Sequence, residues 1–294
     1  MPTGNNARRW LLPLLFLFLP ALESVAQAPA DAVGRLTPAQ AQSLVARALA
    51  SELRAAQDQA HPMRYLLRKT TPRLTSAKEI VETRDGEVAH LVSINDQPLS
   101  AAAAQREQAR LEALAANPNL QRHRKKSEDS DMEIVLKLLH MLPTAFTYQY
   151  AGMGAGPNGV VEKYSFKPNP QFSPPDLETQ ALTALNGEVW VDAAQGRVVR
   201  LEGHLQQDTD YGWGVLGKLD KGGWVAIEQA DEGGGQWRIV HVQMRMNLRV
   251  LFRTRNIDTL EDMSRYEPVP AGMDYRHAIQ MLLEGAGNTG QANR

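Results

Sequence analysis

The 294-residue chain has no cysteine. That absence removes disulfides, thiol catalysis, cysteine-ligated metal sites and a lipid-modified cysteine together. An excess of charge of one sign is missing too. Lys and Arg number 32 against 33 Asp and Glu, leaving a formal net charge of −1. The chain therefore lacks the basic surplus that phosphate-backbone binding uses, and nucleic acid is not an expected partner. No apolar run approaches the roughly 20 residues of a membrane-spanning helix. The seven histidines show no His-Glu-x-x-His spacing, and no Gly-x-Ser-x-Gly turn occurs. Asp208, Asp210, Asp220 and Asp231 miss the compact spacing of a calcium loop and read as turn residues. No catalytic residue, metal site or cofactor is indicated, and the expectation is a protein that is not an enzyme.

What the N-terminus does have is an ordered export signal. Arg8 and Arg9 precede the apolar stretch Trp10 to Leu19, and Ser24 and Ala26 supply small residues at the −3 and −1 positions of a cleavage site. This is the layout of a signal peptide over residues 1–26, cut after Ala26. The mature chain is expected to be periplasmic or extracellular, with no stable membrane span once the signal is removed. A flexible segment at 27–36, one domain at 37–285 and a disordered tail at 286–294 complete the expected organisation. Without disulfides, ordinary core burial has to stabilise that domain.

Thr37-Pro38-Ala39-Gln40 combines an N-cap, a proline at the first helical position and a glutamine at the third, so a helix is predicted to start there. Ala41, Leu44, Val45, Ala48 and Leu49 give it one apolar face before His61-Pro62. Strands are predicted near 63–71, 77–84 and 87–95, with a turn at Asp85-Gly86. A mostly solvated helix runs from Leu99 to Ala116, where Asn117-Pro118 stops it. The charges of Arg122 to Asp131 nearly cancel, and that stretch reads as a solvated linker. Ser130-Asp131-Met132-Glu133 offers a second capping box, opening a short buried helix over 131–142.

The second half is strand-rich. Alternation in Phe146-Thr147-Tyr148-Gln149-Tyr150 places Phe146, Tyr148 and Tyr150 on one face. Gly152 to Gly159 reads as a glycine-rich turn, followed by a strand over 160–166 and a short helix near 176–184. Segments 187–193, 197–207 and 216–230 read as further strands. His204 and His241 fall on the polar sides of strands, within reach of Glu202 or Arg245, and read as surface residues. From Val240 to Phe252 every even-numbered residue is apolar, while His241, Gln243, Arg245, Asn247 and Arg249 are polar. That is a long antiparallel strand with one dry face and one wet face.

Leu185-Asn186-Gly187-Glu188-Val189-Trp190-Val191-Asp192, then Gln195-Gly196-Arg197-Val198-Val199-Arg200-Leu201-Glu202, form a strand ending in Asp, a glycine turn and a second strand. With the ladder from Trp237 to Arg253, these pairs resemble the lipoprotein-carrier superfamily typified by LolA and outer-membrane lipoprotein-sorting proteins. As architecture the resemblance covers Leu36 to Leu283, with a helical insertion near 99–142. It implies an α+β fold in which a one-sided antiparallel sheet forms an open half-barrel, its concave face covered by helices. It also implies a concave apolar surface suited to acyl chains. Val242, Met244, Met246, Leu248 and Val250, with Phe146, Tyr148 and Tyr150, are the candidate ligand-binding residues, since flexible thioethers suit variable guests. Helices near 131–142 and 274–284 are the expected plug or lid. The expected partner is a lipid or acyl chain, and envelope proteins come second. The alternatives are an envelope interaction module with a filled core, and a hydrolase using His204 or His241.

Overall fold

The computed structural model describes residues 36–211, 217–250 and 253–291, with backbone alone for Tyr211, Val250 and 286–291. The expected export signal and its cleavage site lie outside these residues. Helix α1 (Pro38–Ala56) starts as its sequence dictates. The Thr37 hydroxyl accepts from the Gln40 amide N–H while the Gln40 side chain accepts from the Thr37 N–H. A meander of β1 (Met63–Thr70), β2 (Thr75–Val81), β3 (Val88–Ile94) and the short β4 (Gln97–Pro98) follows. Helix α2 (Ala101–Ala116) is capped by Ser100 and buries Glu107, Leu111 and Leu114.

The expected linker at 122–131 is instead the middle of one long helix, α3 (Pro118–Ala145). Asn117 caps it and Pro118 occupies its first turn, so the Asn-Pro pair that ends α2 also opens α3. The charged run holds its helix because Arg, Lys and Glu are good helix formers and because Lys125 bonds Asp129 one turn on, at 2.7 Å. No helix begins at Ser130. The segment expected to be a short buried helix is largely exposed: Met132, Ile134 and Val135 keep 45%, 38% and 46% of their surface.

Next come β5 (Phe146–Gly156) and β6 (Gly159–Pro168), then α4 (Leu177–Gln180), which runs into a single 3-10 turn. The glycine stretch expected to be a loop is mostly strand. Gly156 pairs directly with Gly159, so the turn shrinks to Pro157-Asn158. Strands β7 (Leu185–Asp192), β8 (Val198–Leu205), β9 (Thr209–Tyr211), β10 (Gly217–Leu219), β11 (Trp224–Asp231), β12 (Trp237–Val250) and β13 (Arg253–Pro268) complete the sheet. The C-terminal helix α5 (Tyr275–Gln291) runs past the expected domain end at 285.

All pairings are antiparallel, in the order β4-β3-β2-β1-β13-β12-β11-β8-β7-β6-β5, with β10 beside β12 and β9 beside β10. The sheet is open, with β4 and β5 at its two edges. Thirteen strands and five helices among the described residues make this an α+β open-sheet fold.

Residues directly paired across strands share a face, which separates the two sides. One row runs Tyr164, Val189, Leu201, Ile227, Val242, and this inner face is apolar. The neighbouring row runs Trp190, Arg200, Glu228, His241, Asp262, Arg68, and this outer face is wet. The first core lies on the inner face, where Val45 and Leu49 of α1 and Leu142 and Ala145 of α3 pack on Phe146, Tyr148, Tyr164, Phe166 and Val189. Buried Glu52 ties α1 to the strands. It accepts two bonds from Arg197, both 2.8 Å, one from the Val198 N–H and one from Gln229.

The second core lies on the opposite side. Val81 is paired with Arg64, which alternates onto the outer face with Arg68. Val81 and Val88 there meet Leu111 and Leu114 of α2 and Tyr275, Ala278, Ile279 and Leu282 of α5. The C-terminal helix expected as a lid therefore packs on the outer face at the β1–β3 end, away from the inner face.

Candidate ligand-binding site

On the inner face the covering helices pack chiefly on β5, β7 and β8. Phe146 and Tyr148 are 2% exposed there and Tyr164 is fully buried. Further across the same face, Val225 and Ile227 of β11, Val242, Met244, Met246 and Leu248 of β12 and Ile257 of β13 are all only half-buried. None of them belongs to a helix-covered core cluster. The central strands thus present a contiguous apolar strip that no described helix seals.

Helix α3 crosses in front of it. At one end Gln121 donates to the Asp85 carbonyl and Glu128 accepts from the Glu87 N–H, which pins the helix to the β2–β3 turn. At the other end Leu139 and Leu142 enter the first core. Residues 121, 128, 135 and 142, with 125, 132 and 139 between them, fall on one stripe of the helix because seven residues make close to two turns. Along that stripe the polar end is docked, Met132 and Val135 are bare, and the last turns are buried. From Gln121 to Ala145 the helix measures about 36 Å at 1.5 Å per residue. The eight to nine strand spacings beneath it amount to about 38–43 Å along the sheet. The helix is therefore long enough to span the inner face from the β2–β3 turn to the β5 edge.

Four of the residues proposed from sequence, Val242, Met244, Met246 and Leu248, come together in the open strip. Phe146 and Tyr148 belong to the filled core beside it, and half-buried Tyr150 packs against that core. The Val250 side chain lies outside the described residues. Sequence reasoning missed Val225 and Ile227, although the alternation in Trp224-Val225-Ala226-Ile227 carries the signal. It also missed the bare Met132 and Val135, whose apolar spacing alone does not tell a packed helix from an arching one.

The margins of the strip are charged. Lys69 and Glu261, paired across β1 and β13 on the inner face, form a 2.6 Å ion pair. At the far end Arg255 is paired with Leu248 and Arg253 with Val250, so both arginines project on the inner face, and both are exposed. Where α3 docks on the β2–β3 turn, Tyr65 stacks on Tyr266 at 5.1 Å and donates to Glu87, while Glu82 accepts from the Met63 N–H. Burial pushes the Glu82 and Glu87 carboxyls above their ordinary value.

The outer face holds different chemistry. His204 pairs with Glu202 at 2.7 Å, as its position on the strand allows, whereas His241 pairs with Asp262 at 2.8 Å rather than approaching Arg245. Among the described residues no hydroxyl bonds either imidazole. Two shallow hollows, about 210 and 280 Å³, also lie on the polar side, one beside Trp190, Arg200 and Glu228 and the other between Gln149, Ser165 and Asn186.

No protein-family model matches the chain, and no curated protein does. Among solved structures, it is similar to the crystal structure of an outer membrane lipoprotein-sorting protein domain from Vibrio parahaemolyticus. The two share 10% identity over 81% of this chain and 95% of that one, with a TM-score of 0.33. Among the described residues no helix is long and apolar enough to cross a membrane.

Proposed function

We propose that this chain is an exported, non-enzymatic carrier that holds a lipid or lipoprotein acyl chain against the inner face of its sheet. The observation that supports this is the open strip under α3: half-buried Val242, Met244, Met246 and Leu248 on one side and exposed Met132 and Val135 on the other. Fully burying an aliphatic side chain contributes about 1.5–3 kcal/mol, and a core built only for stability would have closed over these residues. An acyl chain lying beneath α3 would take up that contact. The chain acts by shielding, with α3 as a fixed arch pinned at both ends and the ligand entering along the strip.

The test is to purify the exported protein from its native envelope and analyse its organic extract by mass spectrometry beside a Met246→Trp variant that fills the strip. A stoichiometric lipid present in the wild type and lost from a still-folded variant is the expected result. Equal trace lipid in both would sink the carrier.

A further inference from the structure

The strip does not end symmetrically. Strand β1 stops at Thr70, opposite Leu260, so residues 253–259 of β13 run on beyond it together with the end of β12. Along that extension the inner face reads Thr259, Ile257, Arg255, Arg253 on β13 and Met244, Met246, Leu248 on β12. Past Glu261 no acidic side chain occurs on this face of either strand. Arg253 and Arg255 have no ion-pair partner among the described residues. The outer face of the same hairpin is balanced instead: Arg245 pairs with Asp258 and Lys218 with Asp208, whose carboxylate also faces Arg249. Of the arginines on this extension, the two with no carboxylate beside them thus lie on the side that carries the apolar strip.

Resting on the carrier reading above, we infer that the ligand is an anionic amphiphile, its acyl chain on the strip and its phosphate or carboxylate head between Arg253 and Arg255. Two residues apart on one strand face, their Cα atoms stand about 7 Å from one another, within reach of a shared anion for two such long side chains. A single anionic head can accept from both, and guanidinium is well suited to such oxyanions. Leu248 and Ile257 lie immediately inboard, where the first methylenes would leave the headgroup. A lipid with an uncharged head would fill the strip equally but gain nothing at its end. Because the arginines are exposed, each pair is worth little in water, so the expected preference is modest: about three- to thirtyfold for both together. It should fade as salt rises.

The experiment compares delipidated protein binding to lysophosphatidylglycerol and to the uncharged monoacylglycerol of the same acyl length, below their aggregation concentrations. Arg253→Gln/Arg255→Gln and Met246→Trp variants are run beside the wild type. The inference expects tighter binding of lysophosphatidylglycerol by wild type, a preference abolished in the double glutamine variant with monoacylglycerol affinity unchanged, and loss of both lipids in Met246→Trp. Equal affinities in wild type would overturn the headgroup site while leaving the carrier intact. Binding of neither lipid would sink the carrier itself. Displacement by inorganic phosphate alone would reduce the arginines to a plain anion site. Loss of co-sedimentation with phosphatidylglycerol vesicles in the glutamine variant, without any preference for monomeric lipid, would reassign them to a membrane contact. Either of these last results counts against the inference.

Discussion

Helix α3 should be energetically uneven along a single stripe. Val135 and Leu142 lie seven residues apart on the same side, yet Val135 is 46% exposed and Leu142 is 7% exposed. Leu142 packs in the first core, and its carbonyl accepts from the buried Tyr148 hydroxyl. Leu142→Ala removes three buried carbons and leaves space the core cannot fully close, at about 2–5 kcal/mol. Val135→Ala removes two half-solvated methyls and replaces a β-branched residue by the best helix former, a gain of roughly 0.5 kcal/mol that nearly cancels the loss. The two substitutions should therefore differ by about 2 kcal/mol or more. Urea denaturation reads this directly. With a slope of about 3 kcal/mol/M, a 2 kcal/mol loss moves the midpoint by roughly 0.7 M. On the carrier reading lipid binding should show the reverse order, because that reading places the ligand against Val135 and not against Leu142. A Val135→Ala cost of 1.5 kcal/mol or more would mean that the middle of α3 is packed, and the open strip beneath it would not exist.

Two further outcomes follow from buried charge. Glu52→Ala leaves Arg197, the Val198 N–H and Gln229 without their shared acceptor, so it should cost about 3–5 kcal/mol, and a thermal melt within 2 °C of wild type would contradict that role. Glu82 has a carboxyl pKa raised by burial above its ordinary 4.5. Its contribution is fully present below pH 4.5 and lost as pH rises through the elevated value, so Glu82→Gln should raise the melting temperature at pH 8 and leave it unchanged at pH 4; a variant less stable at pH 8 would reverse the sign.

How far the fold was legible follows the clarity of its local patterns. The capping box at Thr37, the meander from Met63 to Ile94 and the one-faced strand β12 were visible because one side of each meets apolar neighbours and the other meets water. Helix α3 was read as a linker plus a short helix because a nearly neutral charged run looks alike whether it is solvated coil or the solvated span of a helix. What decides it is docking at both ends, on the β2–β3 turn and in the first core, which no local window contains. Strand β13 went unread for a related reason. Its inner face carries Arg253, Arg255, Thr259 and Glu261 and its outer face Asn256, Asp258 and Asp262, so a central strand shows no alternation. Its partners, β1 and β12, dictate its conformation. Of the site, the β12 residues were legible from period alone, whereas the emptiness in front of them belongs to the arrangement of α3.

The place of β13 also governs when the protein can become whole. Strand β1 is flanked only by β2 and β13, and the contact between Lys69 and Glu261 closes 192 residues of chain. During synthesis, the meander of β1–β4 and the hairpins of β5–β12 can form from nearby sequence, but no strand pairing joins them until residues 253–268 arrive and zip between the two halves. Closing so large a loop is entropically costly and kinetically late. Everything up to residue 268 thus has to leave the ribosome before the native sheet is possible, and on the export reading proposed above a precursor that remains divided for that long stays threadable for a translocase that accepts only unfolded chains.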